Sequence, residues 1–387
     1  MSLTRQFALI LDRKQLLARF WKSTRQVWQA KRAWAISLAT FLIGVLLLQL
    51  VVQVLLNLWN RNFFDALERK DAHALWVQAQ MFVPLAAVSI LLAAASVWGR
   101  MTAQRGWREG MSRHVINRWL DKDRFYRLNH LANGNNHSAK GSENPEYRIA
   151  VDIRVATDAP IDLTLAFVSS ILTALTFFGV LWTVGGSLEV PVFGTTVTIP
   201  GYLVLGVIVY SSVMSALMIL VGHHLTGVIE RTNQSEAELR ASIDAFREQD
   251  PAHPGRRPDG EKRRTLWLSL QAVLLWWREF LWQLVRTTLV SHGNFLLAPV
   301  VAWLLCVPKY LSGAMTLGEL TQTAAAFVTV QGAFNWLVDN YQRLADWRSS
   351  AHRVATLLNA LDDLETDEEK EEAQAPGAVT PLRVPTL

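Results

Sequence analysis

Gln49, Gln53, Asn57 and Asn60 recur at i, i+4, i+8 and i+11 within a run otherwise dominated by leucine and valine. A helix turning about 100° per residue gathers them within about 80° of one another. Gln331, Asn335, Asp339, Gln342 and Asp346 repeat the pattern in a later run, and Gln283, Thr287 and Asn294 share one side of a third. Such residues offer hydrogen bonds and, at Asp339, a charge; they do not break bonds. A charge at the centre of a lone membrane helix costs roughly 2.5–3.5 kcal/mol. Polar faces of this kind therefore turn inward, either to line a wet pathway or to bond helix to helix. The first alternative makes these side chains substrate-pathway candidates, with Asp339 the sharpest. Arg286, about 60° from its neighbours' stripe, is the natural counter-charge, although its place near a run end also suits snorkelling.

Other chemistry is excluded by what is missing. The sequence has no G-x-x-x-x-G-K-[ST] loop, no G-x-S-x-G elbow and no H-E-x-x-H, so no enzyme and no cofactor is expected in this chain. His223 and His224 are adjacent, and helical neighbours point about 100° apart, so no metal site is expected there. The single cysteine, Cys306, lies in an apolar run and reads as a packing residue.

The elements that position these residues are membrane helices. Segment 1–33 reads as a cytoplasmic elbow helix, with Leu16, Leu17, Phe20, Trp21, Thr24, Val27 and Trp28 on one side and Lys14, Lys22, Arg25, Lys31 and Arg32 around the rest. That pattern suits a helix lying among headgroups. Six apolar stretches follow within a domain spanning 34–360, at about 34–58, 75–99, 161–185, 202–221, 280–307 and 317–344. Each can cross about 30 Å of hydrocarbon at 1.5 Å per residue. The sixth is weaker, because Gln, Asn, Thr and Asp interrupt it. Pro84 is expected to kink the second and Pro160 to precede the third. Residues 188–201 read as a short β-hairpin or an extended loop outside the membrane.

Charge sets the orientation. Of 38 lysines and arginines, 33 fall in segments 1–33, 100–160, 223–282 and 343–387. By the positive-inside rule those segments and both termini are cytoplasmic. The formal net charge of +5 is thus a topology signal, and no nucleic-acid partner is expected. Segments 100–132 and 222–248 should continue the second and fourth spans as helices, interrupted at 133–145 and 249–264 by loops rich in Gly and Pro. The acidic segment 361–387 should be a disordered tail.

Four landmarks carry a resemblance. Residues Asn57-Leu58-Trp59-Asn60-Arg61-Asn62-Phe63-Phe64-Asp65-Ala66-Leu67, Asn144-Pro145-Glu146-Tyr147-Arg148-Ile149-Ala150-Val151-Asp152-Ile153-Arg154, Asn233-Gln234-Ser235-Glu236-Ala237-Glu238-Leu239-Arg240 and Gln331-Gly332-Ala333-Phe334-Asn335-Trp336-Leu337 resemble elements of SbmA/BacA-like proteins and their ATPase-bearing relatives. The resemblance implies an all-α membrane protein with the six-span fold of ABC exporter membrane domains and long cytoplasmic helix extensions. It also implies a homodimeric transporter of the bacterial inner membrane that moves peptides or bulky hydrophilic solutes. Coupling-loop candidates are then Asn144, Arg148, Asp152 and Arg154 at one turn, and Asn233, Gln234, Glu236 and Glu238 at the other.

Three readings stay open. One is a proton-driven importer, for which Asp339, Glu189, Glu230 and Asp65 are the coupling carboxylates. Another is the permease part of an ABC transporter whose ATPase is separate or missing. The third is a membrane scaffold that transports nothing. The proton-driven reading has a direct check in Asp339→Asn, which should cut peptide uptake into proteoliposomes about tenfold or more and leave insertion intact. Normal uptake by that variant removes Asp339 from the mechanism.

Overall fold

The computed structural model describes residues 19–25, 28–29, 31–133, 144–192, 195–247 and 260–374. Nearly all are helical. The helices are α1 (Arg32–Glu68), α2 (Ala72–Leu120), α3 (Arg124–Asn133), α4 (Ile153–Gly185), α5 (Tyr202–Gly222), α6 (Leu225–Arg247), α7 (Gly260–Leu311), α8 (Leu317–Phe334) and α9 (Trp336–Gln374). Strands β1 (Ser187–Val192) and β2 (Thr195–Pro200) form an antiparallel hairpin with Ser187 opposite Pro200 and Glu189 opposite Thr198. The hairpin lies where the alternation of β-branched residues places it.

Five helical stretches, Arg32–Glu68, Ala72–Leu128, Pro145–Gly185, Tyr202–Asp244 and Arg263–Leu311, are long and apolar enough to cross a membrane among the described residues. The expected sixth span is of another kind. It is divided at Asn335, which caps α8. Within α8, Leu320, Gln322, Thr323, Ala324, Ala326, Phe327, Val330 and Gln331 are all buried. These positions sweep an arc of roughly 200° at 100° per residue, so α8 meets protein over most of its surface and tolerates Gln and Thr. By contrast α2 shows Trp76, Val83, Ile90, Leu91 and Trp98 to its surroundings, as a lipid-facing helix must.

Pro160 does not begin the third span; it lies inside α4. A helical proline leaves the carbonyl four residues earlier without its N–H. That carbonyl, on Ala156, accepts instead from the Trp347 indole at 3.3 Å. The expected loops at 133–145 and 249–264 fall mostly outside the described residues, but Pro145 and Gly260 already start helical turns. Beyond Leu120, α2 turns through Asp121–Asp123, with Lys122 and Asp123 at positive φ, before α3 continues.

The chain packs into two compact units. One comprises 1–56, 80–169 and 339–387; its core gathers Phe20, Met111, Val115, Leu128, Ile153, Val354, Leu358 and Leu361. Each fully buried leucine there contributes about 1.5–3 kcal/mol. Two expectations change in this unit. Phe20, Ser23 and Thr24 are buried in protein rather than laid among headgroups, while Trp21 stays exposed. Leu16, Leu17 and Val27 lie outside the described residues. The acidic tail is likewise ordered helix as far as Gln374. Its Leu361 and Leu364 are buried in the core, its Asp362 accepts from Arg118 at 2.6 Å, and Arg19 pairs with Asp362 as well. Deeper still, Arg124 holds both oxygens of Glu368 at 3.0 and 2.7 Å. The run looked solvated because its charges were counted without their arginine partners, which lie more than two hundred residues away.

The second unit comprises 57–79 and 170–338. Its core joins Phe177, Leu181, Leu203, Val207, Ala302, Cys306, Phe327 and Val330. Cys306 is fully buried there, as a packing residue.

The Arg124–Glu368 pair makes the docking of α9 sensitive to acid. Its bonds to Arg124 hold the Glu368 carboxyl below its ordinary value of 4.5. A depressed pKa stabilises fully above the unfolded value and is lost as pH falls through the folded one. Protease protection of 362–374 should therefore hold at neutral pH and fail in acid, as pH falls through the lowered value of the Glu368 carboxyl. Arg124→Ala, which strands a buried carboxylate, should weaken the docked state by about 3 kcal/mol at neutral pH and lower the Tm in detergent. Unchanged protection in that variant contradicts the assignment.

Candidate functional site

In the unit of 57–79 and 170–338, the end of α1 runs antiparallel to the start of α8. The Asn57 side-chain amide donates to the Gln322 carbonyl at 3.1 Å. Arg61 donates to Glu319 at 2.7 Å, and the Asp65 carboxylate accepts the Gly318 N–H at 2.9 Å. Glu68 accepts the Leu317 N–H at 3.0 Å and the Tyr310 hydroxyl at 3.3 Å. Thr316 and Glu319 add a reciprocal capping box. The N-terminus of α8 thus has its free N–H groups taken by two carboxylates from α1 and by its own cap, where the helix dipole favours negative charge. Asn57, Arg61 and Asp65 stand at i, i+4 and i+8, so the first landmark is a helix-docking face. Its closeness depends on Gly318: a Cβ there would lie 2.1 Å from the Arg61 carbonyl oxygen and 2.4 Å from Asp65.

Several polar atoms around this dock have no partner among the described residues: Asn57 Oδ1, Asn60 Oδ1, Gln322 Oε1, Thr323 Oγ1 and, further along α8, Gln331 Nε2. Buried orphans of this sort cost about 1–3 kcal/mol each unless water or a ligand meets them. Gln322 and Thr323 were missed by the sequence reading. Their signal was an amide next to a hydroxyl in an alanine-rich stretch, which ordinary helix-to-helix bonding explains as well.

The stripe on α7 is buried as a set, with Gln283, Thr287 and Asn294 each under a tenth exposed. Its bonds run to helices: Gln283 donates to the Val221 carbonyl, Thr287 to the Gln283 and Leu284 carbonyls, and Asn294 Oδ1 accepts from Tyr210 at 3.0 Å. Arg286 is exposed on the single chain. In α6, Thr232 and Ser235 are buried while Glu230, Asn233, Gln234, Glu236 and Glu238 are exposed. The α6 face is fixed to α7 by Trp277, whose indole donates to Glu236 at 3.0 Å, and by Arg231 over the Trp276 ring at 4.9 Å. Gln234 donates to Glu238 one turn on. His223 and His224 form the turn between α5 and α6, their rings 3.7 Å apart; no group of three or more metal-ligating side chains occurs among the described residues.

In the unit of 1–56, 80–169 and 339–387, Gln49 donates to the Leu92 carbonyl at 3.3 Å, and Gln53 is half-buried. Asp339, Gln342 and Asp346 are exposed on the single chain. The second landmark opens with Asn144 in the left-handed region and widens into a π-helical turn over Arg148–Asp152. Such turns are rare and recur at functional sites. Arg148 and Asp152 are buried: Arg148 donates to Thr356 at 2.8 Å, and Asp152 takes a two-pronged bond from Arg353 at 2.8 and 2.6 Å. That pairing raises the Arg353 guanidinium above its ordinary range. Arg154 remains exposed. Asp162, which sequence reading passed over, gathers three donors: Gln104 at 2.8 Å, Arg343 at 2.8 Å and Arg100 at 3.3 Å. No local pattern around Asp162 marks it, because all three donors come from other helices.

Glu189 sits on β1; its side chain lies outside the described residues. Asn335 is the C-cap of α8, and the carbonyl of Ala333 beside it accepts from Ser170 at 2.7 Å.

Residues 28–248 match the family described as ABC transporter transmembrane region 2. The chain belongs to that family. It is therefore a multi-pass membrane protein related to the membrane domains of ABC transporters. It is 25% identical to the Inner membrane ABC transporter ATP-binding protein YddA of Escherichia coli (strain K12) over 350 residues, covering 88% of this chain and 60% of that protein. An ABC transporter ATP-binding protein of Synechocystis, sll0182, is 24% identical over 86% of this chain and 48% of its own length. ABC transporter D family member 2, chloroplastic, of Arabidopsis thaliana is 20% identical over 81% and 41%. The chain thus spans about half of the relatives it matches. Within this family context, the matched region carries the first three landmarks.

Because Gly318 admits no Cβ, Gly318→Ala should separate α1 from α8 and cost about 1–3 kcal/mol. The check is thermal unfolding in detergent beside Gly332→Ala, where a Cβ meets nothing within 4 Å. Equal losses in the two variants would show that the dock is not tight.

Proposed function

We propose that the chain is the membrane-spanning permease part of an ABC transporter of the bacterial inner membrane, acting as a homodimer with both termini cytoplasmic and driven by an ATPase domain. The observation that carries this reading is the family match over 28–248, together with relatives named as ATP-binding proteins. The ATPase domain is either separate or joined to this chain in a longer protein. The exposed side of α6, with Asn233, Gln234, Glu236 and Glu238, and the exposed Arg154 are the surfaces offered to it. Arg148 and Asp152 act behind that surface, locking the turn to α9. The solute is a peptide or bulky hydrophilic compound, as the SbmA/BacA resemblance implies. Its path includes the unpaired amides and hydroxyls around Asn57, Asn60, Gln322, Thr323 and Gln331.

Proton drive by the chain alone has less support. Asp65 is buried but already engaged by the Gly318 N–H, and Glu230 and Asp339 are exposed on the single chain; a carboxylate that carries protons needs burial that raises its pKa without such a partner for its charged form.

Proteoliposomes holding the dimeric chain, given a labelled cationic peptide and an imposed proton gradient without ATP, provide the test. Uptake no greater than in empty vesicles is expected, rising at least about tenfold when an ATP-binding domain and ATP are supplied. Gradient-driven uptake without ATP would establish a secondary transporter instead.

A further inference from the structure

Within the unit of 1–56, 80–169 and 339–387, the helices α2 and α9 are packed along only part of their length. Buried positions on α2 begin at Gly99 and recur every fourth residue, at Ala103, Trp107, Met111 and Val115. Among the described residues of α2, none before Gly99 is buried. In α9 the first buried residue among those described is Ser350, followed by Ala351, Val354, Ala355, Leu357 and Leu358. The start of α4 joins the same core through Ile153 and Ala156.

Side-chain pairs fix the directions. Arg118 reaches Asp362 and Arg124 reaches Glu368, both pairs 244 positions apart, so α2 and α9 run parallel. Along α9, Arg343, Trp347 and Arg353 meet Asp162, Ala156 and Asp152 in turn, so α4 runs against them. Toward their N-termini, then, α2 and α9 leave the shared core side by side, and the bundle becomes a fork.

Asp162 stands where the fork begins. Its carboxylate accepts from Gln104 of α2 at 2.8 Å and from Arg343 of α9 at 2.8 Å, with Arg100 of α2 at 3.3 Å. Neither arginine meets another acceptor among the described residues. The pairs deeper in the bundle are of another kind, since Arg124, Glu368 and Asp152 are each under a tenth exposed. The Asp162 side chain is 19% exposed, Arg100 39% and Arg343 53%. Opening a buried pair strands a charge without water, which is costly. A pair already in touch with water trades its bonds for hydration at little cost. When the bundle is pulled apart, the bonds of Asp162 give way first.

We propose that Asp162 is a releasable clasp. Closed, as in this structure, it holds the ends of α2 and α9 against α4. Its release lets those ends part, while Asp152–Arg353 and Arg124–Glu368 keep the packed root together. The use of such a clasp rests on the transport reading above, in which the permease alternates between conformations.

Amide hydrogen exchange of the full chain in detergent needs neither ATP nor solute, so a chain that fails to transport still answers. Asp162→Asn keeps the shape and removes the charge; it should speed exchange over 339–346 at least about fivefold. Residues 350–358, anchored in the core, should change less than about twofold. Asp162→Glu should restore most of the protection. In the native chain, raising salt from about 0.1 to about 1 M shortens the Debye length to about 3 Å. That change should bring 339–346 close to the variant's rate and leave 350–358 as they were. If the Asn variant fails to fold, the salt series on the native chain still decides. Unchanged exchange over 339–346 in either arm overturns the proposal. So does equal acceleration of both segments, which would make Asp162 a support of the whole bundle and not a clasp.

Discussion

Hydrocarbon offers no partner to a peptide group, and most of this chain's architecture follows from that constraint. Backbone bonds must close within each segment, so the apolar runs are helices. Where a proline breaks the ladder, another group has to step in, as Trp347 does at the carbonyl freed by Pro160. Where a helix starts, its first N–H groups must be taken, and Asp65 and Glu68 take two of them at the head of α8. Charged groups are thus admitted at helix ends, where the backbone has bonds to offer.

The same rule explains why the four landmarks look as they do. Each is a polar set at helical spacing, and three of them pin one helix to another. Asn57, Arg61 and Asp65 fix α1 to α8; Arg148 and Asp152 fix the start of α4 to α9; Glu236 ties α6 to α7. Helices in a membrane gain little from apolar contact with each other, because lipid tails are as apolar as leucine. Specific polar contacts then carry register. Residues that resemble parts of a transport machine are, in the first instance, the joints that hold its helices at fixed phase. The orphaned atoms of Asn57, Gln322 and Thr323 lie beside one such joint.

Legibility divides along the same line. The stripe of Gln283, Thr287 and Asn294 was visible as a shared face, and the structure buries it as one; which helix it would meet was not visible. The hairpin at 187–200 was visible from its β-branched residues bounded by Pro and Gly. The acidic segment after Asp362 was misread, since its composition is that of a solvated tail and its partners Arg118 and Arg124 lie on a distant helix. Asp162 was invisible for the same reason. The sixth span was half-legible: its polar content showed, but not the burial that allows it.

By itself the sequence determined the class of the protein and the approximate limits of the five apolar helices long enough to cross a membrane. Those properties depend on transfer of side chains from water to lipid and on the 3.6-residue period, both of which are local. Tertiary structure alone decided which polar faces meet, that α9 extends and docks through its acidic turns, and that Gly318 is a point of contact rather than a flexible link. Those depend on pairs of residues brought together from distant parts of the chain, and a charge or an amide carries no mark of the partner it will find.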